Sequence, residues 1–235
     1  ISYFQTISDE TNTLLSGTFT QDTFFQYYDT SNVLVSPNLN TEVPKALVAD
    51  EIYKFMMIII AQAVGLYFLL DFVTGIVHWW MDRYGKEDMP IVGKAVIEIN
   101  TWHHEDPRKM ITRSYWYLCK SGWAGVAMMW TVVFLTTGTI SWQWLFFGFL
   151  GANANIVHQW SHKRPDEKPS IVTFLQNIKV LQRPSDHAKH HTRPETNAYC
   201  TYSPWLNPML DRINFWIGIE KFVGFFGFHT NDRLA

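Results

Sequence analysis

Eight of the nine histidines in this 235-residue chain fall into four short clusters, each beside the end of an apolar segment. They are His78, the pair His103–His104, the HxxxH pair His158 and His162, and the HxxHH trio His187, His190 and His191. Neutral imidazole is a common ligand for iron, copper and zinc. Residues four apart share one helix face, so His158 and His162 can aim both rings at one point. A single helical turn can present all three rings of the trio. The adjacent His103 and His104 cannot share a face and suit different ions. Eight such ligands fit two metal ions better than one.

The surrounding residues narrow the choice of metal. Catalytic zinc typically takes three protein ligands and a water, so eight histidines are too many. The HxxxH motif reads His158-Gln-Trp-Ser-His162, with no glutamate to serve as the base of an HExxH site. The ExxH pairs of soluble di-iron bundles are also missing. Cys119 and Cys200 form neither a CxxC nor a disulfide framework. An all-histidine set near a membrane fits oxygen activation by two irons. Asp71 lies two helical turns before His78 on the same face, and a carboxylate at that depth is costly unless paired. It is expected to accept a hydrogen bond from a ligand's second nitrogen or to orient a neighbour. A water-facing aspartate at the helix end is the plainer alternative. His229, alone beside Phe228, reads as structural.

The elements that must position these residues look membrane-bound and all-α. Net charge is −2, which gives no basic surface for nucleic acid. Aromatic residues reach 16%, with 11 Trp, a bias suited to the membrane–water interface. Residues 1–45 are rich in Thr, Ser, Asn, Gln and Asp and read as a polar, extended arm. Its pairs Phe24–Phe25 and Tyr27–Tyr28 leave room for docking onto a partner protein. The chain starts at Ile1, as a processed or trimmed chain would, and the first 50 residues carry one basic residue, unlike a transit peptide.

Residues 46–235 form the expected membrane domain, with spans at about 52–80, 115–136 and 140–160. The link Thr136-Thr137-Gly138-Thr139 is short enough to force an antiparallel hairpin. Ile171 to Gln182 reads as a short amphipathic segment. The stretch 213–228, interrupted by Glu220 and Lys221, reads as an interfacial helix, with a fourth crossing as the alternative. With three crossings, all eight histidines fall on one membrane face and make a histidine-rich cap. Arg83, Lys86, Lys94, Arg108, Lys109 and Arg113 crowd the 81–113 loop. By the positive-inside rule that face is cytosolic, or its matrix or stromal equivalent.

Four stretches carry a family resemblance: Asp71-Phe-Val-Thr-Gly-Ile-Val-His78-Trp79, His103-His104-Glu-Asp-Pro107, Asn155-Ile-Val-His158-Gln-Trp-Ser-His162, and His187-Ala-Lys-His190-His191-Thr-Arg-Pro194 running to Tyr199-Cys200. In order and spacing the chain resembles the Kua family of membrane lipid desaturases, over residues 71 to about 220. The resemblance implies an O2-dependent desaturase with two non-haem irons, acting on an alkyl or acyl chain of a phospholipid. It makes His78, His103, His104, His158, His162, His187, His190 and His191 the iron ligands, with Asp71 and Asn155 supporting them. Arg108, Lys109 and Arg113 would receive the lipid headgroup. Electrons would come from a separate donor, cytochrome b5 or ferredoxin. Lys163, Arg164 and Lys168 either dock that donor or form a solvated loop. Two alternatives stay open: a di-iron lipid hydroxylase, and an accessory subunit recruited into a larger membrane complex through the arm.

Overall fold

The computed structural model describes residues 45–192 and 196–231, so the expected arm lies almost wholly outside the described residues. The chain divides into two compact units, Ile1–Glu51 and Ile52–Ala235. The histidines all belong to the second. Every regular element among the described residues is helical.

Helix α1 (Lys45–Arg83) carries no charge from Phe55 to Leu70, and Met57, Ile58, Ile60 and Val64 point outward from it. Exposed apolar side chains along a long helix suit lipid rather than water. Ile52–Arg83 and Tyr115–Thr137 are the two helices, among the described residues, long and apolar enough to cross a membrane. The opposite face of α1 is a buried stripe of Asp71, Gly75, His78 and Asp82. The spacing i, i+4, i+7, i+11 keeps all four on one side. Against this stripe lies the segment around Cys200. A side chain at Gly75 would meet the Cys200 Sγ at 2.6 Å, so only glycine lets the two backbones approach.

After α1, a π-helical turn (Gly93–Ile97) runs into α2 (Glu98–Glu105) and the short α3 (Pro107–Ile111). Helix α4 (Tyr115–Thr137) starts at Ser114, whose hydroxyl accepts from the Tyr117 amide, and stops at Gly138 with φ 73°. The expected hairpin follows, into α5 (Trp142–Ala152). Trp130 Nε1 donates to the Trp144 carbonyl at 2.8 Å, while Gly122 sits against the Ala152 backbone; the two helices therefore run antiparallel.

One expectation needs correction here. The stretch 140–160 is not one helix: it breaks at Asn153 into α5 and α6 (Ala154–His162). Asn153 caps α5 by donating its amide to the Phe149 carbonyl at 2.7 Å, and its Oδ1 accepts from the Tyr115 hydroxyl at 2.9 Å. The break redirects α6, so His158 and His162 turn inward. At 213–228, where an interfacial helix is the expectation and a fourth crossing the alternative, the helix is too short for the alternative. Helix α10 (Phe215–Phe225) has 11 residues, roughly 17 Å against a bilayer core of about 30 Å. It packs on the end of α1 instead, where Glu220 accepts from Arg83 Nε at 2.7 Å.

Between these lie α7 (Ser170–Asn177), α8 (Pro184–His187) and α9 (Leu206–Arg212). Buried amides join them. Gln182 donates to the Cys200 carbonyl at 3.0 Å, Gln176 to the Gln182 carbonyl at 2.8 Å, and Asn207 brackets both backbone groups of Cys200. The apolar core fills the gaps with Leu70, Val157, Val172, Leu181 and Tyr202 on one side and Trp79, Tyr199, Cys200 and Trp216 on the other. Both cysteines are buried and free.

Candidate metal centre

All eight clustered histidines converge, from four separate places in the chain, into two groups. His103, His158, His162, His187 and His191 form the first, and His78, His104 and His190, with Asp82, form the second. In each group the potential ligand atoms lie within 4.8 Å of one another. His158 Nε2 is 2.8 Å from His187 Nε2 and 3.2 Å from His162 Nε2, and His191 Nε2 is 3.1 Å from His187 Nε2. Two nitrogens bound to one ion at about 2.1 Å and at right angles stand about 3 Å apart. The spacing of the first group is thus that of ligands around a common centre.

Ring orientation points the same way. His103 Nδ1 donates to the Asn100 carbonyl at 2.6 Å, His78 Nδ1 to the Tyr199 carbonyl at 3.1 Å, and His190 Nδ1 to the Asn197 carbonyl at 2.8 Å. A carbonyl can only accept, so each of these rings carries its proton on Nδ1 and turns an Nε2 lone pair inward. The His103, His78 and His190 Nε2 atoms are buried without a hydrogen-bond partner. Burial, and then the neighbouring imidazoles, hold His103, His187 and His191 well below the usual histidine range. Neutral, buried rings with converging lone pairs repel one another unless a cation sits between them. The donor set fits two transition-metal ions.

The supporting residues are not all where the sequence put them. Among the described residues, the Asp71 carboxylate is hydrogen-bonded to no histidine. It accepts from the Tyr202 amide (2.8 Å), the Ser203 amide (3.0 Å) and the Ser203 hydroxyl (2.6 Å), pinning residues 201–203 to α1. The same segment offers the Tyr199 carbonyl to His78 Nδ1. Asn155 also stands off the rings, and donates to the Leu118 carbonyl at 2.7 Å to tie α6 to α4. Neighbouring Gln159, fully buried, donates to the Met110 and Arg113 carbonyls, both at 2.9 Å, and so ties α6 to α3. The carboxylate beside the histidines is Asp82, which sequence reasoning missed. Its spacing, four residues after His78 on the buried stripe, was the available signal.

The basic residues divide similarly. Arg108 is engaged by both oxygens of Glu167, at 3.0 and 2.6 Å. That contact holds the Glu167 carboxyl down at about 2. Lys109 lies 5.0 Å from the Trp102 ring centre, and Arg113 5.0 Å from that of Tyr117. Lys168 is no free docking cation: it is buried and donates to the Trp160 and Lys163 carbonyls at 3.1 and 2.9 Å.

A cavity of about 560 Å³ opens beside the centre. His78, His103 and His158 stand at one end, and Leu70, Val126, Met129 and Phe147 line the other. Leu70 and His78 both face it from α1, eight residues apart, which makes it roughly 12 Å long. Its walls are largely apolar, and Val73, Val77 and Gly125 on its lining are exposed.

Apolar helices, two histidine groups and an apolar cavity are thus joined in one helical domain. The chain belongs to the lipid desaturase family, whose domain matches residues 67–231. It is 33% identical over 164 residues to plasmanylethanolamine desaturase of Myxococcus xanthus, covering 67% of this chain and 57% of that protein. A probable fatty acid desaturase of Acanthamoeba polyphaga mimivirus is 32% identical over 181 residues, covering 72% of this chain and 82% of that one. The chloroplastic fatty acid desaturase 4-like 1 of Arabidopsis thaliana is 30% identical over 177 residues, covering 71% of this chain and 57% of that protein. The chain thus spans less than two thirds of the bacterial and plant relatives' length. No solved structure matches it.

Proposed function

We propose that this chain is a di-iron, O2-dependent desaturase that introduces a double bond into an alkyl or acyl chain of a membrane phospholipid. The observation that carries the reading is the apolar cavity ending on His78, His103 and His158. A saturated chain is the ligand such walls suit, and its end at the histidines is where a chain carbon would meet the metal centre. Relatives named plasmanylethanolamine desaturase and fatty acid desaturase 4-like 1 support the reaction class. In balance, one –CH2–CH2– unit, O2, two electrons and two protons give –CH=CH– and two waters.

The eight histidines would hold the two irons, which when bound supply the O2-derived oxidant that unactivated C–H bonds require. The residues of this chain do the rest. Carbonyls of Asn100, Tyr199 and Asn197 fix the Nδ1 protons and aim the rings. Val73, Val77 and Gly125 offer the chain a sideways path from the bilayer, and the apolar walls exclude water around the reacting carbons. Met110 lines the histidine end of the cavity, so Lys109 and Arg113 beside it are the cations for a phosphate headgroup; Arg108 is already neutralised by Glu167. The basic 81–113 loop favours a cytosolic, matrix or stromal histidine face. The two electrons come from a separate donor, cytochrome b5 or ferredoxin.

The test is bound metal, then product. Elemental analysis of the detergent-purified chain should find about two irons per chain, falling sharply in His158→Ala/His162→Ala. Lipid analysis after reconstitution with a donor should show products two hydrogens lighter. Zinc, or no metal, overturns the mechanism. Hydroxylated lipid in place of unsaturated lipid replaces desaturation by hydroxylation.

A further inference from the structure

Asp82 is fully buried at the centre of the second histidine group. Its Oδ2 lies 3.2 Å from His190 Nε2 and 3.6 Å from His78 Nε2, and its Oδ1 lies 3.1 Å from His104 Nε2. Asn100 donates its side-chain amide to Oδ1, while its carbonyl fixes His103 in the first group. The nearest guanidinium in sequence, Arg83, turns away to Glu220. Because His78 and His190 spend their Nδ1 protons on backbone carbonyls, two ring lone pairs face a carboxylate oxygen across 3.2 and 3.6 Å. Lone pairs on a carboxylate and on two imidazoles repel. A proton on one ring would relieve one of these contacts and leave the others. A divalent cation among them relieves all at once, and the 4.8 Å limit on the ligand-atom separations is wide enough for opposite ligands of one ion.

We infer that Asp82 is a ninth metal ligand, so that the two sites differ: one of five imidazoles, the other of three imidazoles and a carboxylate. This rests on the metal-binding reading above. An anionic oxygen makes the second site the harder one in ligand character and lowers its net charge by one. The two ions are therefore inequivalent before any lipid or donor arrives. Asn100 couples the sites physically, with its side chain on Asp82 and its carbonyl on His103.

The experiment is iron content, paired with infrared spectroscopy of the whole chain. Asp82→Asn keeps the shape and removes the charge. It should bind about one iron where the unaltered chain binds about two, the ion retained being that of the five-histidine group. A variant that still holds two irons, with unchanged Mössbauer doublets, would overturn the assignment and leave the metal centre standing. No iron in the unaltered chain would instead overturn the metal centre itself. The second measurement needs no variant to fold. In chain labelled with carbon-13 at the aspartate carboxyl, the iron-loaded minus iron-free infrared difference should contain a shifted carboxylate stretch. Iron binding with no labelled band in the difference overturns the proposal.

Discussion

Gly125 offers the sharpest test of the cavity as a lipid-chain site. A Cβ added there meets nothing within 4 Å, whereas one added at Gly122, a turn away, meets the Ala152 carbonyl oxygen at 3.0 Å. Both glycines line the cavity. Gly125→Leu therefore puts four carbons into open cavity space with the helix packing left alone. Gly125 lies two turns along α4 from Leu118, away from the histidines, so it blocks the far part of the chain and not the reacting carbons. Each methylene displaced from an apolar wall costs about 0.8 kcal/mol. Four displaced methylenes cost about 3 kcal/mol, or roughly 200-fold in kcat/KM for a chain long enough to reach Gly125. Gly125→Ala, one methyl, should cost about 4-fold. The assay is kcat/KM across lipids of graded chain length, with the donor in excess and iron content measured on the same samples. Short chains that end before Gly125 should keep near-normal rates. An equal loss at every chain length, or no loss with iron intact, would refute the placement of the chain.

Further outcomes follow from other contacts. Asp71→Leu leaves the Tyr202 and Ser203 amides buried and unpaired and should cost about 3–5 kcal/mol, read as a fall in thermal midpoint in detergent; a fall of only a degree or two would show that the pin is dispensable. Lys109→Gln with Arg113→Gln should weaken binding to vesicles with exposed phosphate headgroups and leave iron content unchanged; lost iron would make the pair structural. For metal-stripped chain, His103, His187 and His191 sit below the 6.5 they have when unfolded, so the unfolded state takes up protons first as pH falls. Stability should therefore decline as pH drops below about 6.5, and loaded metal should delay the decline; a flat profile of melting temperature against pH would argue against buried neutral rings.

The site was legible in the sequence to the extent that it is built from local spacing. His158 and His162 share a helix face, so their convergence follows from helical geometry; the expected single turn for the trio is not formed, since α8 ends at His187 and His190 and His191 follow in the turn after it. The rest depended on what each polar group meets across the fold. Asp71 and Asp82 are both buried aspartates on one stripe of α1, and nothing local says that the first meets backbone amides 130 residues away while the second meets imidazoles. Asn153 looks like any polar residue in an apolar run. Only its bonds to Phe149 and Tyr115 turn it into the break that aims His158 inward. The choice left open at 213–228 has the same origin: Glu220 has its partner in Arg83, so the apolar stretch around it folds back onto the protein. Cation positions suffered likewise, since Arg108 and Lys168 are consumed by partners that the sequence does not place beside them.

The buried stripe of α1 also sets the order in which this protein can be made. Asp71, Gly75, His78 and Asp82 acquire their partners from residues at and beyond Asn100, and chiefly from 190–203, about 125 residues later in the chain. At about 5–20 residues per second, α1 waits roughly 6–25 s in the membrane with two carboxylates and a polar notch uncovered. A chain cut short before Tyr202 never covers Asp71. The same polar groups that assemble the centre thus mark an unfinished chain, to any factor that surveys the bilayer for unpaired charge, and metal loading can only be the last step of assembly.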